Sequence, residues 1–116
     1  MDKIKDKQLK KILEELAGFL QEVYGNRLRA VILYGSVARG TQTSESDVDI
    51  MVLVEGSAEE LRGYEDKLSD VSTDFALKYL KVFSIIDVSY QEYVDWMKIS
   101  PFYKNVSEEG VVLYAA

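Results

Sequence analysis

With 116 residues the chain has room for one domain of ordinary size. Its 14 Lys and Arg against 20 Asp and Glu leave a formal charge of −6, which argues against a grip on long nucleic acid, since backbone phosphates call for a basic face. Cysteine and histidine are both absent, which excludes disulfides, thiolate or imidazole catalysis and Cys/His zinc sites, so any metal here is a hard cation with oxygen ligands. A small anionic ligand that brings its own cation is compatible with this charge, and so is a partner with a basic surface. Hydrophobic residues make up 47% of the chain and there is one proline, a composition that supports a folded core. No apolar run approaches the ~20 residues of a membrane span. The opening Met1-Asp-Lys-Ile-Lys leads into no signal-peptide core. The expectation is a cytoplasmic protein with no membrane partner.

The first predicted element is an amphipathic helix over residues 3–24. Leu9, Ile12, Leu13, Leu16, Leu20 and Val23 recur at three- and four-residue steps, with Lys and Glu on the other face. Gly25 and Asn26 suit its end. Residues 30–34 form a short apolar run and a buried strand, closed by Gly35-Ser36. Residues 37–46 are small and polar, a turn or a short helix with a loop. A second buried strand spans 49–54. Ser57, with Glu60 three residues on, has capping-box spacing and opens a helix to about Tyr79, its stripe carried by Leu61, Tyr64, Leu68, Val71 and Phe75. Residues 82–89 read as a third strand. Ser89 and Glu92 repeat the capping-box spacing before a helix with Tyr93, Trp96 and Met97 on its apolar face. Pro101 opens a last short helix, Gly110 ends it, and residues 111–114 suit a fourth, edge strand.

Strands separated by helices imply a sheet covered by helices, an α/β or α+β domain spanning residues 1–116. The link between the first two strands is too short for a parallel crossover. Those two strands are therefore expected to be antiparallel, in a small mixed sheet of three to four strands.

The stretch that carries chemistry runs from Leu33 to Ile50. Gly35 follows an apolar strand, where the absence of a side chain lets a ligand approach the backbone. Ser36 can start a helical turn whose free N–H groups face outward, an anion site. Asp47 and Asp49 are two apart at the start of a strand, so both side chains point to one face. Two like charges held together there repel unless a cation sits between them. If the strands are antiparallel, Gly35-Ser36 and Asp47/Asp49 meet at one edge, a layout for cation-assisted attack on a nucleotide phosphate. Either half alone is weak: Gly-Ser commonly just turns a chain, and acids often flank strands. Their joint spacing beside apolar strands carries the reading. The eight tyrosines read as core and rim rather than as a base-stacking surface, Trp96 at helical spacing reads as core, and Asp74 and the paired glutamates read as solvated.

The string Gly35-Ser-Val-Ala-Arg-Gly40, followed after five intervening residues by Ser46-Asp-Val-Asp49, resembles the signature of the DNA polymerase β-like nucleotidyltransferase superfamily, and within it the minimal nucleotidyltransferase branch. The resemblance is dense over residues 31–54 and looser elsewhere, although Pro101-Phe-Tyr-Lys-Asn-Val and Glu109-Gly-Val-Val-Leu-Tyr114 resemble the tails of that branch. It implies a nucleotidyltransferase fold in which Gly35 and Ser36 hold the triphosphate of an NTP such as ATP. Asp47 and Asp49 would coordinate Mg²⁺, and Arg39 would lie near the phosphates or brace the loop. It also implies a third carboxylate on the next strand, where the position that matches is Ser84. Asp87 is the acid available on that strand, and a one-residue change of register would turn it to the other face. Two readings stay open: Asp87 as third metal ligand and catalytic acid, or no third carboxylate and weak or absent transfer.

The resemblance implies three functions. One is transfer of AMP from ATP to a hydroxyl, with an all-helical HEPN-type toxin as the implied partner of a toxin–antitoxin pair. Another is a catalytically degraded antitoxin that neutralises the same kind of partner by contact. The third is an aminoglycoside-type nucleotidyltransferase with a small-molecule acceptor, less favoured because those enzymes carry an extra domain. Whether the chain works in a homo- or hetero-oligomer is open at this stage.

Overall fold

The leucine stripe of the first helix explains why it forms and what it buries. In the computed structural model, which describes residues 4–43 and 46–116, α1 spans Lys7–Tyr24. It starts later than the periodicity alone suggests because Asp6 caps it, accepting from the N–H groups of Gln8 at 2.9 Å and Leu9 at 3.2 Å. Lys3 of the expected helix and Ser44-Glu45 of the expected loop lie outside the described residues. Leu13, Leu16 and Leu20 are fully buried, each contributing about 1.5–3 kcal/mol by its removal from water. A single 3₁₀ turn, Gly25–Arg27, then delivers the chain into β1, Leu28–Tyr34, two residues earlier than the apolar run suggests.

The remaining elements are α2 (Gly35–Arg39), β2 (Val48–Val54), α3 (Ala58–Arg62), α4 (Glu65–Tyr79), β3 (Phe83–Ser89), α5 (Tyr90–Trp96), α6 (Pro101–Glu109) and β4 (Val111–Ala115). The four strands form one sheet in the order β3-β2-β1-β4. As the short first link requires, β1 runs antiparallel to β2, and also to β4. The β2 and β3 strands are parallel, joined by a crossover long enough to contain α3 and α4. The sheet is mixed, as expected.

Both faces of the sheet are covered. Leu33, Ile50, Val52 and Phe83 pack with the buried stripe of α1 and with Leu68 and Phe75 of α4. On the other face Ile32, Met51, Leu53 and Val88 pack with Tyr93 of α5 and Val106 of α6. The Ser72 hydroxyl of α4 donates to the Phe83 carbonyl at 2.6 Å, which ties this helix to the edge strand.

Three sequence expectations need correction. The helix expected from Ser57 to Tyr79 is two helices, broken at Gly63-Tyr64. There the Gly63 and Tyr64 amides bond the carbonyls of Glu60 and Leu61 three residues back, so the chain tightens without leaving helical space and the apolar spacing runs straight through. The capping box at Ser57/Glu60 is present with both bonds, but Ser89 makes no side-chain cap. Trp96 is 53% exposed rather than in the core. None of the helices among the described residues is long and apolar enough to cross a membrane.

Candidate functional site

Antiparallel pairing of β1 and β2 sets Tyr34 opposite Asp49. Gly35, the next residue of the chain, therefore lies against the Asp49 side chain. A Cβ added at Gly35 would collide with Asp49 Oδ2, and its φ of +76° is one that L side chains rarely adopt. Glycine is needed here twice over, for the turn and for the room it leaves the carboxylate. Helix α2 follows at once, with no side-chain cap on its first N–H groups. It ends at Gly40, left-handed at φ +75°, and the Thr41 amide bonds back to the Ser36 carbonyl at 3.0 Å.

The approach to the acidic pair is also fixed. The Thr43 amide donates to Ser46 Oγ at 2.9 Å, and the Ser46 amide returns to the Thr43 carbonyl at 3.1 Å. The Val48 amide donates to the Val82 carbonyl at 2.8 Å, anchoring the start of β2 to the entry of β3. Asp47 is exposed and Asp49 half-buried. Strand alternation gives both the face that Met51 and Leu53 present further along. Burial pushes the Asp49 carboxyl above the usual range and the Asp47 charge pushes it further, while the Arg39 guanidinium opposes both. Arg39, exposed at the end of α2, pairs with Glu109 of α6 at 3.5 Å.

Asp87 does not join this group. The register of the parallel pair sets Ser84 beside Asp49 and Asp87 beside Val52, three positions further along β3. Ser84 shares the face of Asp49. Asp87 shares the opposite face, with Ile50 and Val52, and there the Tyr24 hydroxyl of α1 donates to its Oδ2 at 3.0 Å. Burial raises the Asp87 carboxyl, while the Tyr24 bond opposes the rise. This alternation does not bring Asp87, one of the two readings for the third ligand, together with Asp47 and Asp49. Among the described residues no cluster of three or more acids is placed to hold a metal ion.

Two neighbours escaped the sequence reading. Tyr34, Gly35, Arg39, Phe102, Asn105, Val106 and Glu109 line a cavity of about 230 Å³ beside the acidic pair. Its wall is aromatic: the Tyr34 and Phe102 rings meet edge-on at 5.5 Å. Phe102 continues into a shallower groove with Glu92, Trp96, Ser100 and Tyr103. The signal for Phe102 lay in the Pro101-Phe-Tyr string, which carried resemblance without a role.

With this geometry in view, comparison with known proteins is decisive for the family: the chain belongs to the nucleotidyltransferase domain family, whose profile matches residues 7–113. It is a nucleotidyltransferase. A relative in Methanocaldococcus jannaschii, named as a protein adenylyltransferase, is 35% identical over 107 residues, covering 90% of this chain and 96% of the relative. Among solved structures, a chain of a toxin–antitoxin crystal structure with AMP-PNP superposes with a TM-score of 0.57 at 20% identity, covering 89% of this chain and 73% of its own. A chain from the complex of tri-AMPylated Shewanella oneidensis HEPN toxin with MNT antitoxin gives 0.52 at 16% identity, covering 92% and 73%. These two likenesses establish the fold.

Proposed function

We propose that the chain transfers AMP from ATP to a hydroxyl group on a partner protein, and that the partner is a helical HEPN-type toxin. The observation that carries this reading is the contact of the Gly35 turn with the Asp49 carboxylate, because it sets the uncapped N–H groups that open α2 beside a pair of acids suited to a cation. The name of the M. jannaschii relative and the AMPylated toxin among the structural neighbours support the choice of AMP and of a protein acceptor.

In this reading the outward N–H groups at Gly35-Ser36 bind the triphosphate, and Arg39 draws its charge toward α2. Asp47 and Asp49 are hard oxygen donors, and they fit Mg²⁺ in a chain with no cysteine or histidine. When bound, Mg²⁺ supplies neutralisation of the phosphate charge and polarises the transferred phosphoryl group. The acceptor oxygen attacks the α-phosphorus in line, the bond to the pyrophosphate oxygen breaks, and pyrophosphate leaves. Tyr34 and Phe102 hold the reactants against an apolar wall that limits water. Exposed Trp96, Ile99 and Phe102 offer an acceptor protein an apolar surface continuous with the cavity.

Titration calorimetry with ATP and Mg²⁺ tests the reading. Binding is expected to need both Mg²⁺ and Asp49. Binding that persists in EDTA, or in Asp49→Asn, would sink it. A second reading, neutralisation of the partner by contact without transfer, is favoured by Ser84 standing beside Asp49 where an acid would complete the site. Neutralisation that survives Asp47→Asn with Asp49→Asn would decide for it.

A further inference from the structure

We infer that Ser84 sets the metal stoichiometry of the site: this chain holds one divalent cation with the nucleotide, and a second cation has no protein ligand set. The inference rests on the nucleotide reading above and deepens it. The lateral neighbours of Asp49 in the sheet are Tyr34 on β1 and Ser84 on β3. Tyr34 offers a phenol, neutral at ordinary pH and no anionic ligand. Ser84 offers a neutral hydroxyl. The nearest acid along β3, Asp87, faces the other side of the sheet and is engaged by Tyr24. Among the described residues the sheet therefore brings two carboxylates, Asp47 and Asp49, to this edge, while Glu109 of α6 is paired with Arg39.

Two carboxylates and the oxygens of a triphosphate suffice for one Mg²⁺, which keeps several waters and takes one or two protein acids. A pair of cations roughly 3.5–4 Å apart, of the kind that clamps both the attacking and the leaving oxygen, needs further anionic ligands to offset the added charge. Ser84 occupies the register position from which a side chain on β3 reaches the face of Asp49. It is half-buried on β3, an edge strand of the sheet, with no further strand beyond it to crowd a longer side chain. With one cation, this chain positions and polarises the phosphates, and the proton of the attacking hydroxyl leaves to a group outside the chain.

The experiment counts bound Mn²⁺ by the loss of its free electron paramagnetic resonance signal, with saturating α,β-methylene-ATP, a nucleotide that cannot be cleaved at the reacting bond. The expected count is one Mn²⁺ per bound nucleotide in the unaltered chain and in Ser84→Asn. In Ser84→Asp it is two, the second binding at least about tenfold tighter than any second site in the unaltered chain. Two tight Mn²⁺ in the unaltered chain would overturn the inference and leave the nucleotide reading intact. One Mn²⁺ in a folded Ser84→Asp chain would overturn it too. No nucleotide bound at all would remove both readings together. Should Ser84→Asp fail to fold by circular dichroism, the count in the unaltered chain decides alone.

Discussion

Asp49 and Asp87 are alike in every local respect and differ in what they can do. Both are half-buried strand acids, and burial raises both carboxyls above the usual range. They sit on adjacent parallel strands. Yet Asp49 faces the Gly35 turn and Asp47, while Asp87 faces α1 and takes a hydrogen bond from Tyr24. The difference is parity alone: β3 carries Ser84 on the face of Asp49, and three steps later Asp87 falls on the other. A perturbed carboxyl is therefore not by itself a sign of a site, because plain burial under a helix produces the same upward shift.

The largest expected effect that separates the two acids is on nucleotide binding. Asp49→Asn is expected to weaken Mg²⁺-dependent ATP binding by about 100-fold or more, and Asp87→Asn by less than about twofold. Equal losses in calorimetry would put Asp87 back in the site. Next in size is Gly35→Ala, which places a Cβ against the Asp49 carboxylate at an unfavourable φ. A loss of roughly 1–3 kcal/mol in thermal or urea unfolding is expected, with ATP affinity down about tenfold. A stable Gly35→Ala chain with full affinity would show that the turn relaxes. Smaller again is Asp87→Ala, which leaves the Tyr24 hydroxyl without its partner. It should cost about 1–2 kcal/mol of stability while ATP binding stays unchanged.

The smallest effect concerns pH. Folding raises the Asp49 pKa, so the folded chain holds this proton to higher pH than the unfolded chain does. In the window above the ordinary aspartate range, the contribution of Asp49 to stability is then present at lower pH and is lost as pH rises through its folded pKa. Without Mg²⁺, Asp49→Asn should therefore melt higher than the unaltered chain near neutral pH, by roughly 1–2 °C for a half-buried group still partly screened by water. Melting curves that coincide from pH 4 to 8 would refute that link. A site acid whose removal stabilises the metal-free protein would be expected of a group placed for a ligand rather than for the fold.

Much of this was legible in the residues. The α1 stripe, the two apolar strands and the shortness of the first link were enough to infer the antiparallel pair, and with it the meeting of Gly35 with Asp49. The face of Asp87 was not legible, because β3 is apolar on both sides: Phe83 and Ile85 pack one way, Ile86 and Val88 the other. With helices over both faces, alternation gives no sign of which side is which. Trp96 sat at helical spacing with Tyr93, but α5 is too short and too near the rim to bury both. The aromatic wall of Tyr34 and Phe102 depends on α6 returning across the end of β1, a long-range event that no local pattern records.

The β1–β2 pair has a consequence for how the molecule forms. Gly35, Ser36, Arg39, Asp47 and Asp49 all lie within one antiparallel pair and its connection, so the nucleotide end closes over a short stretch of chain. The two outer strands, β3 joining β2 only after two helices and β4 reaching β1 from far along the chain, close over long separations. Loop-closure entropy favours the first event over the second. In refolding, amides of β1 and β2 should gain protection from hydrogen exchange before those of β3 and β4; the reverse order in pulse labelling would contradict this. The proposed nucleotide-binding edge would then be among the earliest ordered parts of the chain, and the two outer strands would be assembled onto it.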